Sequence, residues 1–340
     1  MSFEYLDTDK SIETKWRSLI LFGSNTATYK FAFAKSLLEL VDSETNRINL
    51  EDLAKPFALN IAQHLKYSEK QIRSGNSSFL DEIKKFNSGE SNIDKLIKAT
   101  QKDGFKYVID AFQHLHGGQI SSPFYYKDFT QNKKELVITD ELLRLKESQQ
   151  ISNLPLEVEA RWKLVETAWD LNINPNLLEV IHDQENQTFY IQQNDLFRRI
   201  DITSSRDSLN GYQKGKCFYS YQDIFLEGVN VCHVDHFFPH SMKDIFFKEG
   251  ININGVWNLV LTDPIINLQK NRSIPEIRFL EKLNKRNEFY IESKHPLAET
   301  IINQTGQTSR HRIDFLKKCY NLVEFNQKKW RPEIELQPIF

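Results

Sequence analysis

The 340-residue sequence contains no apolar run approaching the roughly eighteen residues needed to cross a bilayer, so no membrane-spanning helix is expected. Its opening, "MSFEYLDTDK", lacks the basic start and apolar middle of a secretory signal, and a cytoplasmic location is expected. Cysteine is scarce. Cys217, Cys232 and Cys319 are an odd number at scattered positions, which argues against a disulfide framework and fits a reducing compartment. An excess of one charge is lacking too: 44 Lys and Arg face 46 Asp and Glu, so no global basic field announces a nucleic-acid partner. A nuclease needs only a local basic groove, however, and near neutrality does not remove that class. No internal repeat or low-complexity tract interrupts the chain. Its 40% apolar content suffices for one large domain or two ordinary ones.

The first half has a helical pattern. Within "TATYKFAFAKSLLELV" the apolar positions Phe31, Ala34, Leu37, Leu38 and Val41 recur at the three-and-four spacing of one helix face. A second series runs Leu50, Leu53, Phe57, Ile61 and Leu65, where Pro56 must start or kink the helix because it has no N–H to donate. Shorter helices are expected between Asn76 and Leu115, and a loop at "HGGQISSPF". A longer helix follows Pro155 and lines up Trp162, Val165, Ala168 and Trp169 as a core-facing stripe. Beyond "NINPN" short β-like runs, "TFYIQ" and "LFRRIDIT", place a boundary near 185 to 205. From Ile301 to Phe340 seven Lys or Arg face four Asp or Glu, either a basic groove or a solvated helix face with a tail.

The densest chemistry lies in "CHVDHFFPH", Cys232 to His240. Imidazoles and carboxylates buried without partners are expensive, so such a cluster is poor core filler. "VCHVDHFFPHS" is β-branched enough for a strand that Pro239 would stop. "NGVWNLVLTDPIINLQKNRS" begins as a strand and turns helical at "DP", where Asp263 can cap and Pro264 can occupy the first helical position. The expected order is strand, long loop, strand, short helix. Asp235 and His236 then end the first strand, Asn258 lies on the second, Asn267 sits one turn into the helix, and Lys270 shares its face. An Asp carboxylate and an Asn amide oxygen suit a hard divalent cation, and an unligated His236 can take a proton from water. Adjacent strand residues point to opposite sides, so Asp235 and His236 can share a site only where the strand bends or ends. His233 can be a partner to the site or a structural histidine; His240 can bind phosphate or cap a turn.

"VDHFFPHS" followed by "NLVLTDPIINLQKN" resembles the HNH endonuclease family, the ββα-metal nucleases, and is especially similar to the HNH domain of the CRISPR effector nucleases. The likeness spans about Arg206 to Asn287. It implies Asp235 and Asn267 as metal ligands, His236 as general base, and Asn258 as the residue that holds His236 by side chain or backbone. Lys270, His240 and Arg272 are then candidate phosphate or DNA contacts. "RDSLNGYQKGKCFYS" also resembles the lead-in of bacterial HNH proteins, where a CxxC pair begins a structural zinc site. Here Ser220 replaces the second cysteine and no further pair follows, so structural Zn²⁺ is not expected.

The implied fold class is α+β: a mainly helical recognition or regulatory region over 1–195, a ββα-metal nuclease domain over 196–290, and a helical extension with basic patches over 291–340. The implied function is Mg²⁺- or Mn²⁺-dependent hydrolysis of phosphodiester bonds in DNA, with RNA as another possible substrate, in restriction or anti-phage defence. Partner proteins could dock on the N-terminal region, and a homodimer is compatible. The alternative is a catalytically inactive HNH-like module that binds protein or RNA around a structural metal.

Overall fold

The computed structural model describes residues 4–42, 44–115, 118–131, 133–170, 180–193, 198–293, 296–323 and 329–336. The fold is α+β, with small sheets among many helices. No described helix is long and apolar enough to cross a membrane. The chain divides into two compact units, Ser11–Asn172 on the one hand and Met1–Lys10 with Ile173–Phe340 on the other.

The first unit is mainly helical: α1 (Ile12–Phe22), α2 (Tyr29–Leu40), α3 (Leu50–His64), α4 (Ser78–Asn87), α5 (Ile93–Ala99), α6 (Asp140–Lys146) and α7 (Asn153–Asp170). Side-chain caps fix several starts. Ser11 accepts from the Thr14 amide, Ser77 from Leu80 and Asn92 from Lys95, each satisfying an N–H that the helix leaves orphaned. Helix α3 begins before Pro56 and runs through it, so the proline does not start that helix. Phe31, Leu37, Leu53, Phe57, Ile61 and Trp162 are fully buried in one core, with Trp169 packed at its margin. Each such side chain contributes roughly 1.5–3 kcal/mol by leaving water. A three-stranded antiparallel sheet joins β1 (Arg47–Asn49), β2 (Tyr125–Phe129) and β3 (Lys134–Ile138), with β3 in the middle.

The second unit opens with an antiparallel sheet of β4 (Val180–Asp183), β5 (Thr188–Gln193) and β6 (Arg198–Ser204), paired in that order. The expected junction between 195 and 196 lies outside the described residues. A cut anywhere from 185 to 203 would break this hydrogen-bonded sheet, and the division between units falls before it. Helix α8 (Ser205–Asn210) follows directly. Then come β7 (His233–His236), α9 (Lys243–Lys248), β8 (Leu259–Thr262), α10 (Pro264–Lys270), and the helices α11 (Arg278–Glu292), α12 (Pro296–Thr305) and α13 (Ser309–Val323). The N-terminal segment belongs here because the buried Tyr5 donates its hydroxyl to the Gly211 carbonyl and packs edge-on against Phe289.

Candidate active site

Strands β7 and β8 pair antiparallel, with His236 opposite Leu259, Asp235 opposite Val260 and His233 opposite Thr262. The other edge of β8 is held by side chains as well as by backbone. Gln213 bonds both the amide and the carbonyl of Leu261, and the Phe218 amide donates to the same carbonyl. Arg286 and Asn287 of α11 donate to the carbonyls of Trp257 and, for Arg286, Leu259. The strand that carries the site is thus pinned on both sides. Asp263 caps α10 through the amides of Ile265 and Ile266, with Pro264 in the first turn as the sequence indicates.

Strand β7 ends at His236, so the alternation that would separate neighbouring side chains stops there. Asp235, His236, His240, Asn267 and Arg272 line one cleft of about 360 Å³, together with Gln184 from the loop after β4. The Asp235 carboxylate is largely buried, and burial raises its pKa despite Lys270 and Tyr219 beside it. Lys270 pairs with Asp235 Oδ2 at 2.9 Å, and the Tyr219 hydroxyl reaches the same oxygen at 3.3 Å. Both contacts converge on Oδ2, and the His236 backbone amide also donates to the carboxylate.

The His236 Nε2 lies 3.1 Å from Asn254 Oδ1. An amide oxygen can only accept, so Nε2 carries the proton and Nδ1 keeps its lone pair. Burial, with His182 and His240 nearby, pushes the His236 pKa down to about 3, so the ring is neutral at ordinary pH. The rings of His182 and His240 are centred 6.2 and 5.6 Å from it. His182 is itself buried, neither of its ring nitrogens finds a hydrogen-bond partner among the described residues, and burial lowers its pKa to about 4.

Asn258 is fully buried, but it lies in a short helical turn (Val256–Asn258) before β8 rather than on the strand. Its side-chain amide bonds backbone groups rather than the imidazole. Oδ1 accepts from the Phe238 amide at 2.8 Å, while Nδ2 donates to the carbonyls of Phe238 and Ile253, and its own carbonyl accepts from Phe237. It therefore fixes the backbone just after His236. Asn267 Nδ2 donates to His233 Nδ1 at 3.3 Å, which turns Asn267 Oδ1 away from that bond and gives His233 a role in orienting the amide.

Two expectations change. Lys270, expected as a phosphate contact, is completely buried and spends its donors on Asp235 and the His236 carbonyl, 2.8 Å away. Part of the basic tail is engaged too, while Arg310 and Lys317 are exposed. Arg312 pairs with Glu288, Lys318 with Glu249, and Lys329 lies over the Tyr320 ring, while Lys328 is outside the described residues. Trp330 packs edge-on against Tyr219, so this segment supports the site from behind. Arg272 is exposed at the cleft, as a phosphate contact requires.

Asn254, Tyr219 and His182 were not among the expected site residues. Tyr219 and Asn254 lay inside quoted motifs but carried no spacing signal. His182 is 54 positions before His236, and nothing local marks it.

The donors fit a hard divalent cation: one carboxylate oxygen and one amide oxygen on adjoining elements of one cleft, with room for water and phosphate. No group of three or more His, Cys, Asp or Glu side chains suited to a metal occurs among the described residues. All three cysteines are buried as free thiols. Comparison with protein-family models, curated proteins and solved structures returns no match to this chain.

Proposed function

We propose that the protein is an HNH-type endonuclease that hydrolyses phosphodiester bonds in DNA with Mg²⁺ or Mn²⁺. One observation carries the reading: Asp235, Asn267 and a neutral, oriented His236 line the same cleft at the junction of two antiparallel strands and a capped helix. Asp235 and Asn267 are the residues that would hold the cation. When bound, it would supply Lewis-acid stabilisation of the scissile phosphate and the leaving 3′ oxygen.

The chain's own residues do the rest. His236 accepts the proton of the attacking water at Nδ1, and Asn254 keeps the ring in the required tautomer. Lys270 and Tyr219 hold the Asp235 carboxylate in place from the protein side. Asn258 fixes the turn that ends β7, and Arg272 and His240 stand where a phosphate backbone would enter. The Ser11–Asn172 unit serves recognition or partner binding, and restriction or anti-phage defence is the biological setting proposed.

Supercoiled plasmid incubated with the purified protein tests the reading. Nicked circles should form with Mg²⁺ or Mn²⁺ and not with EDTA. Intact plasmid under every metal condition, with zinc tightly retained by the protein, would favour the binding-module alternative instead.

A further inference from the structure

A second cavity, of about 430 Å³, opens beside the cleft. Its lining includes His240, Lys243, Phe247, Ile251, Asn252 and Asn254. The two cavities are continuous in their walls, because His240 lines both and Asn254 also holds the His236 ring. Its size falls within the roughly 300–1,000 Å³ of ordinary ligand pockets.

The lining has three unlike features that coincide. Phe247 is 83% exposed although its neighbour Phe246 is fully buried, so α9 sends one aromatic into the core and leaves the next outside, where folding does not require it. Asn252 and Asn254 each have their amide oxygen engaged, by the Asn254 backbone amide at 3.0 Å and by His236, which leaves their NH₂ groups as donors. Lys243 and Asp244, both exposed at the same mouth, add a cation beside one carboxylate. An aromatic face, amide donors at its edge and a nearby cation match a nucleobase, its edge acceptors and its attached phosphate. A plain apolar peptide would need none of the donors.

We infer that this cavity is a base subsite, which takes the unstacked nucleobase next to the phosphate held in the cleft and stacks it on Phe247. The inference rests on the nuclease reading for the identity of its ligand. Its consequence is a substrate class: DNA that is single-stranded or locally unpaired beside the cut, because a base inside an intact duplex cannot reach the cavity without flipping.

Binding separates the subsite from the chemistry. Full-length protein carrying His236→Ala is titrated in Mg²⁺ with an oligonucleotide bearing one unpaired 2-aminopurine, and with the fully paired duplex of the same sequence. Adding Phe247→Ala should weaken the unpaired ligand about tenfold and abolish the fluorescence change, with little effect on the paired one. Phe247→Trp should restore both. Unchanged affinity in Phe247→Ala, equal loss for paired and unpaired DNA, or no restoration by Trp overturns the subsite. If Phe247→Ala in the otherwise wild-type protein still nicks plasmid while its affinity is unchanged, the subsite alone falls. If neither oligonucleotide binds and the wild type nicks nothing, the nuclease reading falls with it.

Discussion

Lys270 shows how burial reassigns a residue. Its charge suggested phosphate, but a fully buried ammonium must be paired, and here it offsets the Asp235 carboxylate. Lys270→Ala should therefore cost about 3–5 kcal/mol of stability by stranding that carboxylate. It should also raise the Asp235 pKa further, since Lys270 lowers it, so protons compete better and the metal-binding midpoint moves to higher pH. A metal titration at several pH values checks this; no shift in the midpoint would mean that Asp235 is not a ligand. Arg272→Ala should weaken DNA binding for all sequences alike and reduce the slope of log affinity against log salt by about 1, as expected for one lost phosphate contact. An unchanged salt slope would remove Arg272 from the DNA path. The two asparagines should also separate. Asn267→Ala should raise the Mn²⁺ concentration needed for activity, whereas Asn258→Ala should lower thermal stability, at roughly 1–3 kcal/mol per stranded backbone group, without changing the metal requirement. Equal shifts in metal dependence would contradict the assignment. The gathering of Asp235, His236 and Asn267 in one cleft was legible because type, order and spacing occur in one short stretch. Asn254 and His182 were not, because their proximity to His236 is created by loops and a sheet that local sequence does not encode.

Helices were the most legible elements, since a 3.6-residue apolar period is written directly in the sequence. The stripe through Phe31 and Leu37 and the one through Leu53 and Ile61 both face the core as their spacing indicates. Polar contacts between helices were invisible. His64 of α3 stacks on Trp162 of α7 with ring centres 3.5 Å apart and bonds Glu166 at 2.8 Å and Glu159 at 3.3 Å. Burial alone would lower the His64 pKa, but the two carboxylates outweigh it and hold it above the ordinary value. A group raised in the folded state adds stability that is complete below its unfolded pKa, about 6.5, and is lost as pH rises through the folded value. Burial opposes ionisation of Glu159 as well, yet His64 and Lys35 together hold its pKa well below the carboxylate range. Its contribution is present above its unfolded pKa of about 4.3 and is lost only as pH falls through the folded value. The α3–α7 contact should therefore be strongest in mildly acidic solution. His64→Gln should flatten the fall in melting temperature on the alkaline side of the unfolded pKa, and an unchanged pH profile would show that the contact carries no such linkage.

At the scale of the whole chain, a helical part and a site-bearing part were readable, but their division was not. The change in residue texture begins with the strands, while the unit that contains them begins earlier and also recruits residues from the distant N-terminus through Tyr5. A fragment starting near Leu196 severs the β4–β5–β6 sheet and should fail to fold; residues 11–172 alone should give a cooperative melt, because they carry their own core. A non-cooperative melt would contradict that division. One chain offers one such cleft among its described residues, so a monomer should nick rather than cut both strands at once. The central claim is that His236 activates water for phosphodiester hydrolysis, and single-turnover nicking of supercoiled plasmid by wild type and His236→Ala in Mn²⁺, with DNA affinity measured in parallel, tests it most directly. The expected result is a loss of about 10²- to 10⁴-fold in nicking rate at unchanged affinity. Nicking by His236→Ala at the wild-type rate would contradict the account.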